Sequence, residues 1–375
     1  MKFNLLSVIC LFVLLQACQP VDPSIRLYVG TYSVDDSDGI YAYKFNPENG
    51  ELVFDQVTEN RENPSFIGIS RNNRFLYAVS EVNDYNHLDS GSVTAYGIEP
   101  DGRLTKLNQV ATLGNHPCHI AVAPDGETMV ASNYTSGSIS IYQVKPDGSL
   151  VENPQLIQHV GFGPDSQRQK GPHAHSAQFS DDGKTIMTAD LGLDKLFFYQ
   201  FNADSGKYIP AQQPFVEMAP GAGPRHFARS ADDSFIYVMN EMASTVSVVK
   251  KVNDGWELVQ TESSLPADYT GSKSGADIHL SADGRFLYCS NRGLNSIAVF
   301  KRDLENGTIE LIQNEPEQGE WPRNFCISPD GNYVLVAYQH SNNVAVFSRD
   351  AETGLLTYTG KSYDIPSPVC LKFLN

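Results

Sequence analysis

Two stretches decide the fold: Ser281-Ala-Asp-Gly-Arg-Phe-Leu-Tyr-Cys-Ser-Asn291 and Ser328-Pro-Asp-Gly-Asn-Tyr-Val-Leu-Val-Ala-Tyr338. Each reads as the end of one apolar run, an Asp-Gly turn and a second β-rich run. A short polar loop and a third alternating run, such as Ser296-Ile-Ala-Val-Phe300, follow the first of them. This is the pattern of three antiparallel strands joined by two turns. The phrase recurs along the chain, with first strands expected to start at Pro64, Pro117, Pro172, Pro224, Gly275, Pro322 and Pro368. Intervals of about 46 to 55 residues lie in the range of propeller repeats. A weaker run, such as Thr308-Ile-Glu-Leu-Ile312, ends the repeat and supplies a fourth strand.

Seven starts predict an all-β, seven-bladed β-propeller. Pro368-Val-Cys-Leu-Lys-Phe-Leu374 has no second strand after it, whereas Arg26-Leu-Tyr-Val-Gly-Thr31 and Gly39-Ile-Tyr-Ala-Tyr-Lys-Phe45 look like second and third strands without a first. Pairing the N- and C-terminal strands closes the ring and removes an open sheet edge. The propeller is expected as one domain, residues 26–375, after a signal peptide at 1–17 and a short linker at 18–25.

The formal net charge of -17 disfavours nucleic acid and other polyanions as partners. Lys2, the apolar run Leu5 to Leu15 and then Leu15-Gln-Ala-Cys18 read as an export signal too short to span a membrane. The residues before Cys18 resemble a bacterial lipoprotein cleavage site, with Gln16 departing from the usual small or apolar residue. The reading is therefore an exported, periplasmic or cell-envelope lipoprotein, with the outer membrane favoured and acyl chains on Cys18 its only membrane contact. The alternatives are an ordinary signal peptide or an uncleaved anchor. Cys118, Cys289, Cys326 and Cys370 are scattered and read as small core residues, with no disulfide framework or zinc spacing.

Residues equally far before and after a hairpin turn return to the same end of the sheet. Eight residues before the turn glycine or its equivalent stand Ser65, Cys118, His175, Arg225, Ala276 and Arg323; one further on stand Phe66, His119, Ser176, His226, Asp277 and Asn324. Eight after the turn stand Glu81, Tyr134, Leu191, Glu241, Arg292 and Gln339, preceded by Ser80, Asn133, Asp190, Asn240, Asn291 and Tyr338. The rest of each hairpin is apolar and repetitive, but these positions are polar and differ between repeats. They should ring one mouth of the central channel and suit a small anion or an ester-like carbonyl. The arginines could equally be structural ion-pair partners, and Asn133 and Asn291 could cap loops. Glu241 is a candidate base weakened by arginine neighbours. His173 and His175 alternate and so should share a face, but without a matching carboxylate pair no metal is expected. The insertion from Asn153 to Gly171, with Arg168 and Lys170, precedes this strand and is a candidate partial lid.

Gln169-Lys-Gly-Pro-His-Ala-His-Ser176, Gly223-Pro-Arg-His226, Asn240-Glu241, Ser290-Asn-Arg292 and Trp321-Pro-Arg-Asn324, in this order on a seven-fold repeat, resemble the lactonase family of seven-bladed propellers. That family includes bacterial 6-phosphogluconolactonases and fungal 3-carboxymuconate cyclases. The resemblance runs from about Leu27 to Leu374. By motif, the His, two Arg and Glu proposed as the active site of the cyclase branch fall on His175, Arg225, Glu241 and Arg292. His119, Asn133, His173, His226, Asn291 and Arg323 are then expected to bind substrate. The resemblance implies hydrolysis of a sugar lactone, typically 6-phosphoglucono-δ-lactone in the pentose phosphate pathway, without a cofactor and by a monomer or weak homo-oligomer. An exported chain would not meet that cytoplasmic metabolite. A lactonase or cycloisomerase acting on another lactone, and a non-catalytic binding propeller, therefore stand beside the first reading.

Overall fold

The computed structural model describes residues 23–253, 255–316 and 318–374; the signal segment and Cys18 lie outside them. Twenty-eight strands form seven four-stranded antiparallel sheets, with no helix among the described residues. Seven first strands line the axis: Ile67–Ile69, Pro117–Val122, Ala174–Phe179, Pro224–Arg229, Gly275–Leu280, Pro322–Ile327 and Pro368–Phe373. Each packs against the first strand of the next sheet, and Pro368–Phe373 packs back against Ile67–Ile69. Blades I to VII are named in this order. In blade VII, Pro368–Phe373 pairs with Ile25–Thr31, in register from Leu27 opposite Phe373 to Gly30 opposite Cys370. The ring closes between the two ends of the chain, as the split repeat requires. Blades I and III start later than expected, at Ile67 rather than Pro64 and at Ala174 rather than Pro172.

The turn phrase has a local cause. Its serine accepts the N–H of the first residue of strand two and donates to the turn Asp, as Ser281 does with Phe286 and Asp283 (3.0 and 2.6 Å). The following glycine is left-handed, with φ +68° at Gly284, a conformation that other residues adopt only with strain. The same serine contacts recur at Ser180, Ser230 and Ser328.

Between blades, apolar packing is supplemented by repeated polar staples. Tyr237 and Tyr288 donate to the carbonyls of Gly307 and Gly354 in the next blade, both at 2.8 Å. On the outer strands a glutamine amide pairs twice with a neighbouring backbone: Gln260 with Ile309 and Gln313 with Leu356, at 2.8 to 2.9 Å. These contacts satisfy backbone groups at the sheet margins and hold the wedge-shaped blades in one ring. Cys118, Cys289, Cys326 and Cys370 are buried free thiols, as expected.

Candidate active site

The polar positions are concentrated at backbone irregularities. Pairing between first and second strands skips at Pro117/His119, Ala174/Ser176, Pro224/His226, Gly275/Ile278 and Pro322/Asn324. The residues passed over include Cys118, His175, Arg225 and Arg323. A bulge leaves a residue unpaired and re-aims its side chain. The residues eight after the turn are fixed beside the bulges by one recurrent bond to the carbonyl at the strand entrance. Examples are Glu241 N–H to Gly223 (2.6 Å), Arg292 to Ser274 (2.7 Å) and Tyr134 to His116 (3.0 Å). In the blade that joins the chain ends, Tyr32 bonds Ser367 in the same way, at 3.2 Å.

Four arginines meet at this level. Glu241 Oε2 accepts Arg225 Nε (3.1 Å) and Arg292 Nη2 (2.8 Å), and its Oε1 accepts Arg168 Nη2 (2.7 Å). Burial alone would raise the Glu241 pKa, but Arg292, Arg225 and Arg168 outweigh it and hold the carboxyl at about 2. Arg225 is only 2% exposed; burial, with Arg292 and Arg323 alongside, lowers it to about 10, so it remains charged at neutral pH. Its Nη1 also donates to the Ala276 carbonyl at 2.8 Å. Arg292 lies over the Trp321 ring, 5.1 Å from its centre, and its Nε is a buried donor without a partner. Arg323 donates to Tyr32 Oη (2.7 Å), which donates to Glu81 (2.9 Å); Ser65 also bonds Glu81.

His175 occupies the bulge of blade III, buried and edge-on to Tyr134. Burial first, and then Arg225, hold its pKa well below 6.5, so it is a neutral imidazole. Cys118 Sγ lies 3.8 Å from its Nδ1 and 3.3 Å from its carbonyl; burial pushes that thiol up, which leaves it un-ionised. The ring is a neutral proton acceptor beside the arginines, with burial and Arg225 lowering its basicity.

The other histidines are engaged. His226 gives Nδ1–H to Asp277 (2.7 Å) and faces Arg225 Nη1 across 3.3 Å with Nε2; burial, then Arg225, lower it to about 4. Asp277 also bonds His279 (2.9 Å) and Asn324. His119 accepts the Ala177 N–H (3.4 Å) and packs on Phe66, ring centres 4.2 Å apart. His173 donates to the Tyr134 carbonyl (3.0 Å) and stacks on that ring.

Three expectations change. His173 precedes the strand and His175 sits in its bulge, so the two do not alternate along one face; they hold two sides of Tyr134. Asn133 is no part of the mouth: fully buried, it donates to Ser138 and Ser140 within its own blade (3.1 and 2.9 Å). Asn291 is likewise committed to both the backbone and hydroxyl of Ser264 (2.8 and 2.7 Å). These amides fasten strands, because side chains alternate and the position before the mouth residue points into the sheet. Among the described residues no cluster of three or more His, Cys, Asp or Glu could hold a metal.

Sequence register alone did not supply Tyr32, which belongs to the split blade, or the pairing of Arg168 with Glu241. The segment 153–171 is not wholly an insertion. Gln155–Gln158 is the fourth strand of blade II, and the loop after it carries Arg168 over the mouth.

Comparison with known proteins agrees with this architecture. The family model for "Lactonase, 7-bladed beta-propeller" matches residues 26–373. The chain is 34% identical over 355 residues to the 6-phosphogluconolactonase of Bacillus subtilis, covering 93% of this chain and 98% of that protein. It is 34% identical over 306 residues to the 6-phosphogluconolactonase of Formosa agariphila, covering 80% and 86%. The solved periplasmic gluconolactonase of Pseudomonas aeruginosa superposes with a TM-score of 0.88 at 34% identity, over 93% of this chain and 99% of that one.

Proposed function

Because the chain belongs to the lactonase family of seven-bladed β-propellers, and is a lactone-hydrolysing enzyme, we propose that it opens 6-phosphoglucono-δ-lactone to 6-phosphogluconate at the Arg225–Glu241–Arg292 mouth. The carrying observation is charge: four guanidinium groups meet three carboxylates, Glu241, Glu81 and Asp277, and the neighbouring His175 and His226 are held neutral. An anionic substrate would offset that excess. The relatives from Bacillus subtilis and Formosa agariphila bear the name of this activity.

Neutral His175 takes a proton from water as the water oxygen attacks the lactone carbonyl. Negative charge then develops on the carbonyl oxygen, where arginine N–H groups stabilise it. Arg292 Nε, buried and unpartnered, is a donor that such an oxyanion would satisfy. Collapse of the tetrahedral intermediate breaks the ring C–O bond. The leaving oxygen takes the proton from His175, and the carboxylic acid product ionises with net release of one proton. Glu241, saturated by three guanidinium groups, acts as the clamp that aligns Arg225 and Arg292 rather than as the base.

A second reading is favoured by the N-terminal segment. Lys2, the Leu5 to Leu15 run and Cys18 suit export as a lipoprotein, and the Pseudomonas aeruginosa relative is named a periplasmic gluconolactonase. On this reading the protein sits outside the cytoplasm on acyl chains at Cys18, and the substrate is an unphosphorylated aldonolactone. Cys18→Ser should release the protein from the membrane fraction if the lipid anchor is real; unchanged fractionation would refute it.

Titration of released acid at constant pH, with 6-phosphogluconolactone and glucono-δ-lactone as substrates, separates the readings. Turnover of the phosphorylated lactone above the spontaneous rate, lost in Arg225→Ala, supports the first. Turnover of the neutral lactone alone supports the second, and turnover of neither overturns both.

A further inference from the structure

The four arginines of the mouth are not equivalent. Arg225 and Arg323 lie on first strands and Arg292 follows a second strand, and the side chains of Arg225 and Arg292 are almost wholly enclosed. Arg168 comes from the loop between blades II and III, and its side chain is 47% exposed, against 8% for its partner Glu241.

The backbone beneath Arg168 is well held. Gln169, fully buried, donates to the Leu191 carbonyl and to Asp194 Oδ1, both at 2.8 Å. Asp165 Oδ1 accepts the N–H groups of Gln167 and Arg168 at 2.8 and 2.9 Å. The main chain is pinned on both sides while the guanidinium extends over the mouth, where Glu241 Oε1 and Tyr134 Oη (3.4 Å) engage it.

If Arg168 leaves, Glu241 keeps Arg225 and Arg292 on its other oxygen; no charge is stranded. If Arg225 or Arg292 left, a buried cation would lose its carboxylate, which is far less favourable. An ion pair half open to water contributes little to stability, so Arg168 can exchange its partner more readily than Arg225 or Arg292 can.

We propose that Arg168 is the specificity residue of the mouth: its side chain leaves Glu241 Oε1 and grips the phosphate or other anionic group of the lactone. This rests on the phosphorylated-lactone reading given above. The geometry divides the labour, with the enclosed Arg225 and Arg292 at the reacting carbonyl and the loop-borne Arg168 reading the far end of the substrate. A guanidinium can meet a phosphate through two parallel N–H groups, whereas an ammonium offers a point charge.

The test is the ratio of kcat/KM for 6-phosphogluconolactone to that for glucono-δ-lactone, in wild type, Arg168→Gln and Arg168→Lys. The ratio should fall at least about tenfold in R168Q, the loss lying in KM for the phosphorylated substrate, and recover in part in R168K. A ratio unchanged in R168Q overturns the proposal, because a merely structural arginine would affect both lactones alike. Calorimetric binding of the products 6-phosphogluconate and gluconate provides an arm independent of turnover. If wild type fails to hydrolyse the phosphorylated lactone, the functional reading falls. The proposal then stands only if wild type prefers 6-phosphogluconate and R168Q erodes that preference; absence of either effect overturns it.

Discussion

Replacing Glu241 by Gln removes one charge and almost no volume from the centre of the mouth, so its effect can be worked out from the structure. In the folded chain the Glu241 carboxyl titrates at about 2 rather than 4.5. At about 1.36 kcal/mol per pH unit, that difference corresponds to about 3 kcal/mol of stability at neutral pH. The cost of removing one partner from a buried ion pair is about 3 to 5 kcal/mol, in agreement. For a chain of this size the unfolding entropy is about 0.7 kcal/mol per degree, so E241Q should lower Tm by about 4 °C at pH 7. The sign with pH follows from the depressed value. Above 4.5 both states of wild type carry the ionised carboxylate and the full stabilisation is present. As pH falls toward 2, the unfolded chain takes up the proton first, and the advantage over E241Q shrinks by about 1.4 kcal/mol per pH unit. Thermal unfolding of both proteins from pH 7 to pH 3 measures this directly. A difference that is absent at pH 7, or that persists unchanged at pH 3, would refute the assignment of Glu241 as an ionised clamp on Arg225 and Arg292.

Other consequences can be checked with simpler measurements. His175→Ala should lower kcat about 10²- to 10⁴-fold if the imidazole is the general base. Because burial and Arg225 keep His175 neutral well below pH 6.5, wild-type kcat/KM should stay flat as pH falls from 8 through 6.5, and a half-loss centred at 6.5 would contradict the role. Gly307→Ala should destabilise strongly, since φ is +76° and a Cβ would lie 2.2 Å from the Phe235 ring, whereas Gly206→Ala at φ +65° meets nothing within 4 Å and should cost only about 1 to 2 kcal/mol of backbone strain; equal Tm values for the two variants would contradict this packing. Deleting residues 367–375 removes the strand that pairs with Ile25–Thr31, and should abolish cooperative unfolding measured by calorimetry.

The blade count and the closure were legible because the fold imposes the same demands seven times. A turn needs its left-handed glycine or Asn, and a sheet between two others needs apolar residues on both faces. The split repeat showed closure for the same reason: Pro368–Phe373 lacks a hairpin partner of its own, and Ile25–Thr31 lacks a first strand. What the repeat could not show is where a polar side chain spends its hydrogen bonds. Asn133 and Asn291 stand one residue before Tyr134 and Arg292, and register placed all four together. The alternation of the strand turns the two amides inward, to Ser138, Ser140 and Ser264. The pairing of Arg168, which the sequence placed only in a candidate lid, was hidden for the opposite reason, since a loop has no register and only its path in space brings it to Glu241.

The bulges explain why chemistry can collect at this level of the propeller. A bulge is a requirement on the backbone, which must shed one residue from the ladder as the strands splay at the channel mouth; it does not prescribe the side chain. Six first strands meet that requirement at the same register, and the positions freed include a cysteine, a histidine and two arginines: Cys118, His175, Arg225 and Arg323. Next to them the closing bond of each blade depends on a main-chain N–H, so Tyr32, Tyr134, Glu241 and Arg292 can differ in side chain while making the same bond. The deeper polar residues are less free, because Ser176, His226, Asp277 and Asn324 tie one blade to the next. Substituting those residues should loosen the ring as well as the site. His175 meets its neighbouring blades only through a thiol and ring edges, and Arg168 through a half-exposed ion pair; substituting either should change the chemistry while leaving the propeller closed.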